Sequence, residues 1–298
     1  MSQLAISLLG AYRVTLDGLP LNGFATDKVR ALLAYLAVES ETPQRREALA
    51  AMLWPDRPER VARTNLRQAL YRLRRALGDR QATLPHLLVT AKDVQLHPGN
   101  RHWLDVIEFE AHLSAGRARP PGGLVLCPDC LARLEAAVDL YRGEFLAGFT
   151  LPACPHFAWW QLNVQQACHR QALEALHQLV VAYEAQGDCA AVRRVARKEI
   201  ELEPWRESAH RRCMRACALC GQRGEALHQY EVCRVLLAQE MGVEPSAETT
   251  TLYEQIRSGV LPAVAASSET RRSNRPLPGG PPAVLPGAAR VPSPSVPL

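Results

Sequence analysis

The sequence lacks the patterns that mark membrane proteins, exported proteins and several large enzyme classes. No apolar run approaches the ~18 residues that a membrane-spanning helix needs, and no basic segment precedes a long apolar stretch at the start, as a secretory signal would require. There is no G-x-x-x-x-G-K-[ST] loop to hold nucleotide phosphates and no H-x-x-x-H pair to hold a catalytic metal. These absences favour a cytoplasmic protein that is not an enzyme and needs neither a cofactor nor a metal.

Lysine is scarce, with three in 298 residues, so arginine carries most of the positive charge. That charge is unevenly distributed: residues 1–100 hold 14 basic and 9 acidic residues, whereas residues 101–260 hold 17 and 20. Within residues 57–80, eight arginines face only two acids. A basic segment joined to a mildly acidic body is typical of a protein that binds nucleic acid with one part and serves another purpose with the rest.

Residues 1–100 predict the element order strands, three helices, hairpin. Short β-prone runs surround the turn dipeptide Asp17-Gly18. Three helical patterns follow, and the third covers residues 58–77, where Gly78 offers a stop. Two further β-prone runs flank Ala91-Lys92-Asp93 and predict a second hairpin.

Residues 101–260 show helical spacing of apolar residues throughout and are predicted to be all-helical. Gly187 and Gly221 lie 34 residues apart, which is the period of tetratricopeptide helical hairpins, and each precedes a helical pattern that ends at Glu-Pro. Residues 261–298 contain nine prolines and no aromatic residue, so they cannot bury enough apolar surface to offset their ordering entropy. We predict a mainly α protein with a disordered tail over this last segment.

The helix predicted over residues 58–77 carries the strongest functional signal. Leu66, Leu70, Leu73 and Leu77 recur at helical spacing and predict one buried stripe. The rest of the helix is basic and hydrogen-bonding, without an acid after Glu59; its members are Arg60, Arg63, Thr64, Arg67, Gln68, Tyr71, Arg74 and Arg75. A solvated helix usually mixes charges of both signs, whereas arginine and glutamine bind the edges of guanine and adenine in the major groove. This face is therefore the candidate DNA-binding surface.

The order of elements supports the same interpretation. In a winged helix, the second helix of a helix-turn-helix enters the major groove and the following hairpin reaches the adjacent backbone. Lys92, at the tip of the second predicted hairpin, is the candidate phosphate contact of this wing. The alternative is a basic, solvated helix face in an arginine-rich chain.

Seven short clusters of the sequence occur in the order found in a known protein family. The clusters are Leu8-Leu9-Gly10, residues 28–36, Leu53-Trp54-Pro55-Asp56, residues 65–74, residues 140–146, residues 203–207 and residues 236–245. Over residues 4–258 they resemble the bacterial transcriptional activators of the antibiotic-regulatory-protein (SARP) type. Proteins of that type join a winged helix of the OmpR kind to a tetratricopeptide-like bacterial transcriptional activator domain.

The resemblance implies a sequence-specific transcriptional regulator, which we expect to be an activator. It implies a winged-helix DNA-binding domain over residues 1–100, an activator domain over residues 101–260, and binding to promoter repeats in double-stranded DNA through the helix of residues 58–77. After DNA, RNA polymerase is the second expected partner. Whether the protein binds DNA as a homodimer is left open by the sequence. The competing hypothesis is a tetratricopeptide-like scaffold that binds protein without specific DNA binding.

Nine cysteines in a chain without an export signal predict reduced thiols rather than a disulfide framework. Cys127-Pro128-Asp129-Cys130 suits either half of a zinc site or a redox pair at a helix start, and both alternatives stay open. Cys213, Cys217 and Cys220 fall on one helix face, where cysteine behaves as a small hydrophobic residue. An enzyme that uses these cysteines for metal or thiol chemistry is the third function to test, by metal content after purification.

An aromatic cluster, Phe157-Ala158-Trp159-Trp160, begins a predicted helix after Pro155-His156. Large aromatic side chains at such a position either form an exposed patch for a partner or anchor the packing between domains. We expect packing anchors here.

Overall fold

The computed structural model describes residues 3–100, 102–116 and 127–260. Its strands are β1 (Leu4–Ser7), β2 (Arg13–Leu16), β3 (Leu19–Pro20), β4 (Gln44–Arg45), β5 (Leu87–Val89), β6 (Asp93–Leu96) and β7 (His102–Leu104). Its helices are α1 (Asp27–Val38), α2 (Arg46–Leu53), α3 (Glu59–Ala76), α4 (Asp105–Gly116), α5 (Pro128–Leu140), α6 (Pro155–Gln186), α7 (Cys189–Leu202), α8 (Glu207–Leu219), α9 (Arg223–Glu240) and α10 (Ala247–Ser258). The mainly α fold is thus confirmed, and the predicted disordered tail lies outside the described residues.

The N-terminal strands form a hairpin at the predicted dipeptide. β2 pairs antiparallel with β3, and Asp17 and Gly18 between them have φ angles of 52° and 79°. These angles are those of a type I′ turn, which needs positive φ at both central positions to match the twist of its strands and therefore favours Asp-Gly.

The three helices and the second hairpin of the winged helix also form where they were predicted. The leucines of α1 are fully buried and pack with those of α2 and α3 in one core. β5 and β6 form the hairpin, and β4 adds to its other edge, giving the strand order β4-β6-β5. Because β4 directly precedes α2, this pairing fixes the start of the helix-turn-helix against the hairpin.

One short segment differs from the sequence prediction. His102–Leu104 was predicted to be helical, but it forms β7, which pairs in parallel with β1 and completes the order β3-β2-β1-β7. Three residues are too short to show a period of two, and the partner strand lies about a hundred positions earlier. The all-helical prediction is therefore wrong for these three residues.

Two of the sequence clusters meet in space at the joint between the winged helix and the helical part. Leu9 forms a β-bridge with Phe145, and the amide of Gly10 donates a 3.0 Å hydrogen bond to the carbonyl of Glu144. Gly10 has a φ of 110°, and a Cβ on Gly143 would lie 3.5 Å from its Cα. A side chain at position 10 would strain the backbone at this positive φ, so Gly10 allows the chain to follow this path at the crossing.

A buried carboxylate reinforces this joint. Asp105 accepts hydrogen bonds from the amides of Leu8 (2.8 Å) and Leu9 (3.0 Å), and Arg142 approaches it at 2.9 Å. Burial raises the pKa of Asp105, while the backbone bonds and the Arg142 guanidinium oppose that rise. The start of α4 is thereby tied both to the residues that follow β1 and to the segment after α5.

The helical part is a succession of packed neighbours, α6 on α7, α7 on α8 and α8 on α9. Gly187 and Gly221 have φ angles of 70° and 75° at the ends of α6 and α8. They mark equivalent helix ends, in agreement with their 34-residue spacing in the sequence. The aromatic cluster divides: Phe157 is buried and Trp160 packs beside it, whereas Trp159 is 70% exposed. Among the described residues, no helix has the length and apolar character needed to cross a membrane.

Candidate nucleic-acid interface

The recognition helix candidate, α3, separates an apolar stripe from a basic face as its sequence indicates. Leu66, Leu70 and Leu73 are buried against α1 and α2, together with Leu77 just after the helix. Seven of the eight predicted contact residues are exposed on the remaining surface, and Arg74 is half-buried. The helix begins after Pro58, whose fixed φ suits a helix start, and its chain turns away at Gly78 with a φ of 71°.

A basic groove runs between α3 and the β5–β6 hairpin. It has a volume of about 510 Å³ and is lined by Arg45, Arg46, Glu47, Arg63, Leu66, Arg67, Ala91 and Lys92. Five of these eight residues are cationic, so the surface of the groove is strongly positive. A bound anion would stabilise it by reducing the repulsion among these cations. We call this feature the basic groove.

Arg46 joins the first helix of the helix-turn-helix to the hairpin tip. Its amide donates to the carbonyl of Lys92 at 2.9 Å, and its guanidinium donates to the carbonyl of Thr90 at 3.0 Å. These two contacts fix the backbone of the hairpin tip beside the groove, where the side chain of Lys92 is exposed. Sequence reasoning missed Arg45 and Arg46, although an Arg-Arg pair at the start of the first helix is a signal that could have located them.

Arg67 lines two neighbouring depressions of this surface. Besides the basic groove, it lines a second depression of about 190 Å³ with Arg46, Tyr71, Arg74 and Arg80. Across the described parts of the chain, no acid forms an ion pair with Arg67. Its guanidinium is therefore available to a ligand on the exposed side of the helix.

Arg63 differs from Arg67 because two carboxylates already hold it. Its guanidinium lies 2.7 Å from Glu47 of α2 and 2.5 Å from Glu59, one turn earlier on α3. The sequence of α3 shows only Glu59, since Glu47 reaches the face from another helix. Both acids are largely exposed, so solvent weakens these pairs, but they orient the Arg63 side chain.

The C-terminal end of α3 is fixed to the hairpin by a buried acid. Asp79 accepts hydrogen bonds from the amides of His86 (2.7 Å) and Leu87 (3.1 Å), and Nε of Arg74 lies 3.9 Å from it. Arg74 therefore lies beside Asp79 with one side of its guanidinium, while part of its side chain stays exposed. Arg80, which the sequence reasoning also missed, stacks over the ring of Tyr71 at 4.7 Å.

Gln68 lies on the side of α3 away from the hairpin. It lines a third depression, of about 410 Å³, with Lys28, Trp54, Arg72 and the loop residues Leu151 and Pro152 of the helical part. Arg67 and Gln68 are adjacent in sequence but line different depressions. Thr64 lies between these two sides, and its hydroxyl donates to the carbonyl of Arg60 at 3.0 Å, which leaves its oxygen lone pairs as acceptors.

The cysteines depart from the sequence prediction. Disulfides join Cys127 to Cys130 and Cys189 to Cys220, so the prediction of reduced thiols is wrong for these four residues. Cys213 and Cys217 are buried as predicted, but Cys220 is half-buried and turns towards Cys189 at the end of α8. The partner of Cys220 could not be found from a helix face because it lies on another helix.

The winged helix, its basic face and the helical body together define a transcriptional regulator. The chain belongs to the family of proteins with the bacterial transcriptional activator domain, whose model matches residues 104–257. This match confirms the SARP-type resemblance and begins at the last residue of β7, beside the joint described above.

Curated relatives carry regulatory names. The transcriptional regulatory protein MoaR1 of Mycobacterium tuberculosis is 26% identical over 253 residues, covering 84% of this chain and 78% of MoaR1. The regulatory protein AfsR of Streptomyces coelicolor is 28% identical over 268 residues, which span 85% of this chain but 24% of AfsR. The transcriptional regulatory protein EmbR of Mycobacterium tuberculosis is 27% identical over 266 residues, spanning 85% of this chain and 63% of EmbR.

A solved structure shows the same fold. Mycobacterium tuberculosis EmbR, in complex with a low affinity phosphopeptide, superposes with a TM-score of 0.58 at 24% identity. The superposition covers 88% of this chain and 67% of the EmbR chain. The arrangement of a winged helix followed by a helical part is thus shared with that protein.

Proposed function

We propose that this transcriptional regulator binds double-stranded DNA with α3 in the major groove and the β5–β6 hairpin on the adjacent backbone. The observation that carries the proposal is the basic groove, which Arg67 lines together with Arg46 and Lys92 and where no acid among the described residues pairs with Arg67. With α3 in the major groove and the hairpin on the adjacent backbone, a phosphodiester strand would pass along the basic groove between them. A phosphate there would relieve the repulsion among the cations and release counterions from the DNA.

The contact residues divide by their position on α3. Thr64, Arg67 and Gln68 lie within the first ten residues of this 18-residue helix, towards the N-terminal part that reaches the base edges when a recognition helix enters the groove. Arg67 would bind a guanine and Gln68 an adenine, since these pairings are bidentate in the major groove. Because Arg67 and Gln68 line different depressions, we assign them to different base pairs.

The remaining basic residues are assigned to the backbone. Arg60, Arg74 and Arg75 lie nearer the two ends of α3 and would contact phosphates, as would Lys92 on the wing. Tyr71 would hydrogen-bond either a base or a phosphate through its hydroxyl. Arg63, held by two carboxylates, would contact DNA only with the part of its guanidinium that these acids leave open.

The helical part has a separate role in this proposal. We assign DNA binding to residues 1–100 and contact with RNA polymerase to residues 101–260, where the activator domain lies. Binding at promoter repeats would bring two copies side by side on the DNA. A role at promoters places the protein in the bacterial cytoplasm.

The test starts from fragments of the source genome selected for binding to the full chain. Affinity for the selected site, measured by fluorescence anisotropy between 50 and 200 mM salt, should fall linearly with the logarithm of salt concentration, with a slope of about −0.9 per phosphate contacted. A scaffold without specific DNA binding would select no common sequence, and that result would contradict the proposal. Run-off transcription with purified polymerase then tests activation: transcript from the selected promoter should rise with the protein present.

A further inference from the structure

Two half-buried cysteines from different helices meet at one edge of the helical part. Cys189 is the first residue of α7, and Cys220 follows the last residue of α8. Their Cα atoms lie 6.0 Å apart across 31 residues of sequence, a separation that a disulfide spans without backbone movement, and the structure joins their sulfur atoms. This contact is long-range and arises from the packing of α7 on α8.

The five cysteines outside the two disulfides are unsuited to thiol–disulfide exchange with reagents in solution. Cys154, Cys168, Cys213, Cys217 and Cys233 are buried. Burial raises the pKa of Cys168 to about 12 and those of Cys213 and Cys233 to about 11, so these thiols stay protonated and unreactive at neutral pH. Cys189 and Cys220 keep exposed surface, so oxidants and reductants can reach them.

The bond closes the open end of a helix pair. α7 and α8 are already connected at one end by the short Glu203–Arg206 segment, and the disulfide joins their far ends beside Gly187 and Gly221. These glycines mark equivalent turns of the two successive hairpins, α6 with α7 and α8 with α9. The disulfide therefore links one helical repeat to the next.

We propose that Cys189 and Cys220 form a reversible thiol–disulfide staple that fixes the two repeats against each other, with low-molecular-weight disulfides as its oxidants. The thiolate of one cysteine attacks the oxidant disulfide, releasing one small thiol and forming a mixed disulfide. The second cysteine displaces the second small thiol and completes the protein disulfide. One disulfide is thus reduced to two thiols while two protein thiols become one disulfide, and excess small thiol reverses both steps.

Closing the staple should stabilise the helical part. A cross-link across about 31 residues restricts the unfolded chain more than the folded one. For an ordered chain of this size we expect the oxidised protein to unfold about 5–10 °C above the reduced protein. The short Cys127–Cys130 bond closes a much smaller loop, so it should contribute less.

The experiment uses the full chain, incubated with oxidised glutathione or with excess dithiothreitol, and combines peptide mass mapping with thermal unfolding. The oxidised sample should yield a Cys189–Cys220 cross-linked peptide that dithiothreitol removes, together with the higher midpoint. Cys189→Ser and Cys220→Ser should each abolish the cross-link and most of the midpoint difference. Cys127→Ser with Cys130→Ser, and separately Cys213→Ser, are the controls and should keep the cross-link.

Three outcomes would overturn the proposal. The first is an oxidised sample without the Cys189–Cys220 peptide, and the second is a cross-link that small thiols fail to reduce. The third is a midpoint difference that persists in Cys220→Ser but disappears in the Cys127/Cys130 double variant, which would assign the effect to the other pair. None of these measurements depends on DNA binding, so failure here leaves the proposed function unaffected.

Discussion

The indole Nε1 of Trp160 donates a 2.9 Å hydrogen bond to the carboxylate of Glu39, 121 residues earlier in the chain. Glu39 follows the last residue of α1, and Trp160 lies in the first turns of α6, so the bond ties the winged helix to the helical part. The same indole packs against Tyr35 of α1, with ring centroids 4.9 Å apart, and against Phe145 at 5.6 Å. Because α3 packs on α1, the position of α3 depends on a core that includes residues of both parts.

We predict that Trp160→Ala lowers the free energy of unfolding by about 2–4 kcal/mol, because it removes both the ring contacts and the hydrogen bond at this junction. Trp159→Ala is the matched control, since that neighbouring ring is 70% exposed and should change the free energy by less than about 0.5 kcal/mol. Urea unfolding measures both. Equal effects of the two substitutions would show that Trp160 does not anchor the two parts.

The buried stripe of α3 gives a second prediction. Leu70→Ala should cost about 2–5 kcal/mol of stability, because the side chain is buried against the other helices of the winged helix and leaves a cavity. Val61→Ala on the same helix is the control, since Val61 is 41% exposed. A thermal midpoint unchanged by Leu70→Ala would contradict the assignment of the buried face.

The wing gives a third prediction. Lys92→Ala should weaken binding about equally on all DNA sequences and reduce the salt slope by about one unit, because we propose that the exposed ammonium at the hairpin tip contacts phosphate rather than a base. Lys198→Ala is the control: this lysine pairs with Asp139 at 2.5 Å in the helical part and should leave the slope unchanged. Loss of preference for one sequence with an unaltered slope would identify Lys92 as a base contact.

A buried histidine predicts how stability depends on pH. His210 is fully buried, with Nε2 2.7 Å from the carbonyl of Pro204 and Nδ1 2.8 Å from the amide nitrogen of Gln229. The carbonyl can only accept and the amide nitrogen can only donate, so these contacts fit the neutral ring with its proton on Nε2. Burial lowers the pKa of His210, so as the pH falls through about 6.5 the unfolded chain binds a proton that the folded chain excludes.

The free energy of unfolding should therefore decrease between pH 7.5 and pH 5.5, and thermal midpoints across that range measure the decrease. In His210→Gln the decrease should be smaller, though still present, because burial also lowers the pKa values of His86 and His102. His156→Gln, at an exposed position, should keep the full wild-type decrease. An unchanged pH dependence in His210→Gln would show that this ring is not excluded from protonation.

Local patterns were sufficient to predict most of the winged helix. The leucine spacing of α3, the stop at Gly78 and the turn at Asp17-Gly18 depend on neighbours within a few positions, and the structure contains all three. The same holds for the glycines that end α6 and α8.

The contacts that sequence reasoning missed join residues far apart in the chain. β7 is a strand because β1 offers it a free edge, and Arg63 forms an ion pair with Glu47 from another helix. Cys220 has a partner because α7 packs on α8, and Asp105 is tolerated in the core because two distant amides bind it. Each of these contacts depends on which helices and strands become neighbours in the fold, and the local spacing of residues in the sequence carries no information about that.

We propose that α3 reads DNA sequence through the middle of its exposed face, and the measurement that tests this most directly compares Arg67→Ala with Arg75→Ala. Both arginines are exposed on α3 and neither has an acidic partner within the described residues, so the two substitutions remove the same group from two places on one helix. Affinities are measured on the selected site and on its single-base variants at one salt concentration. Arg67→Ala should lose about 1–3 kcal/mol of discrimination at one base pair, whereas Arg75→Ala should lower the affinity for every sequence by a similar factor. If Arg67→Ala weakens all sites equally and keeps the full preference, Arg67 is a phosphate contact and the assigned reading face is wrong.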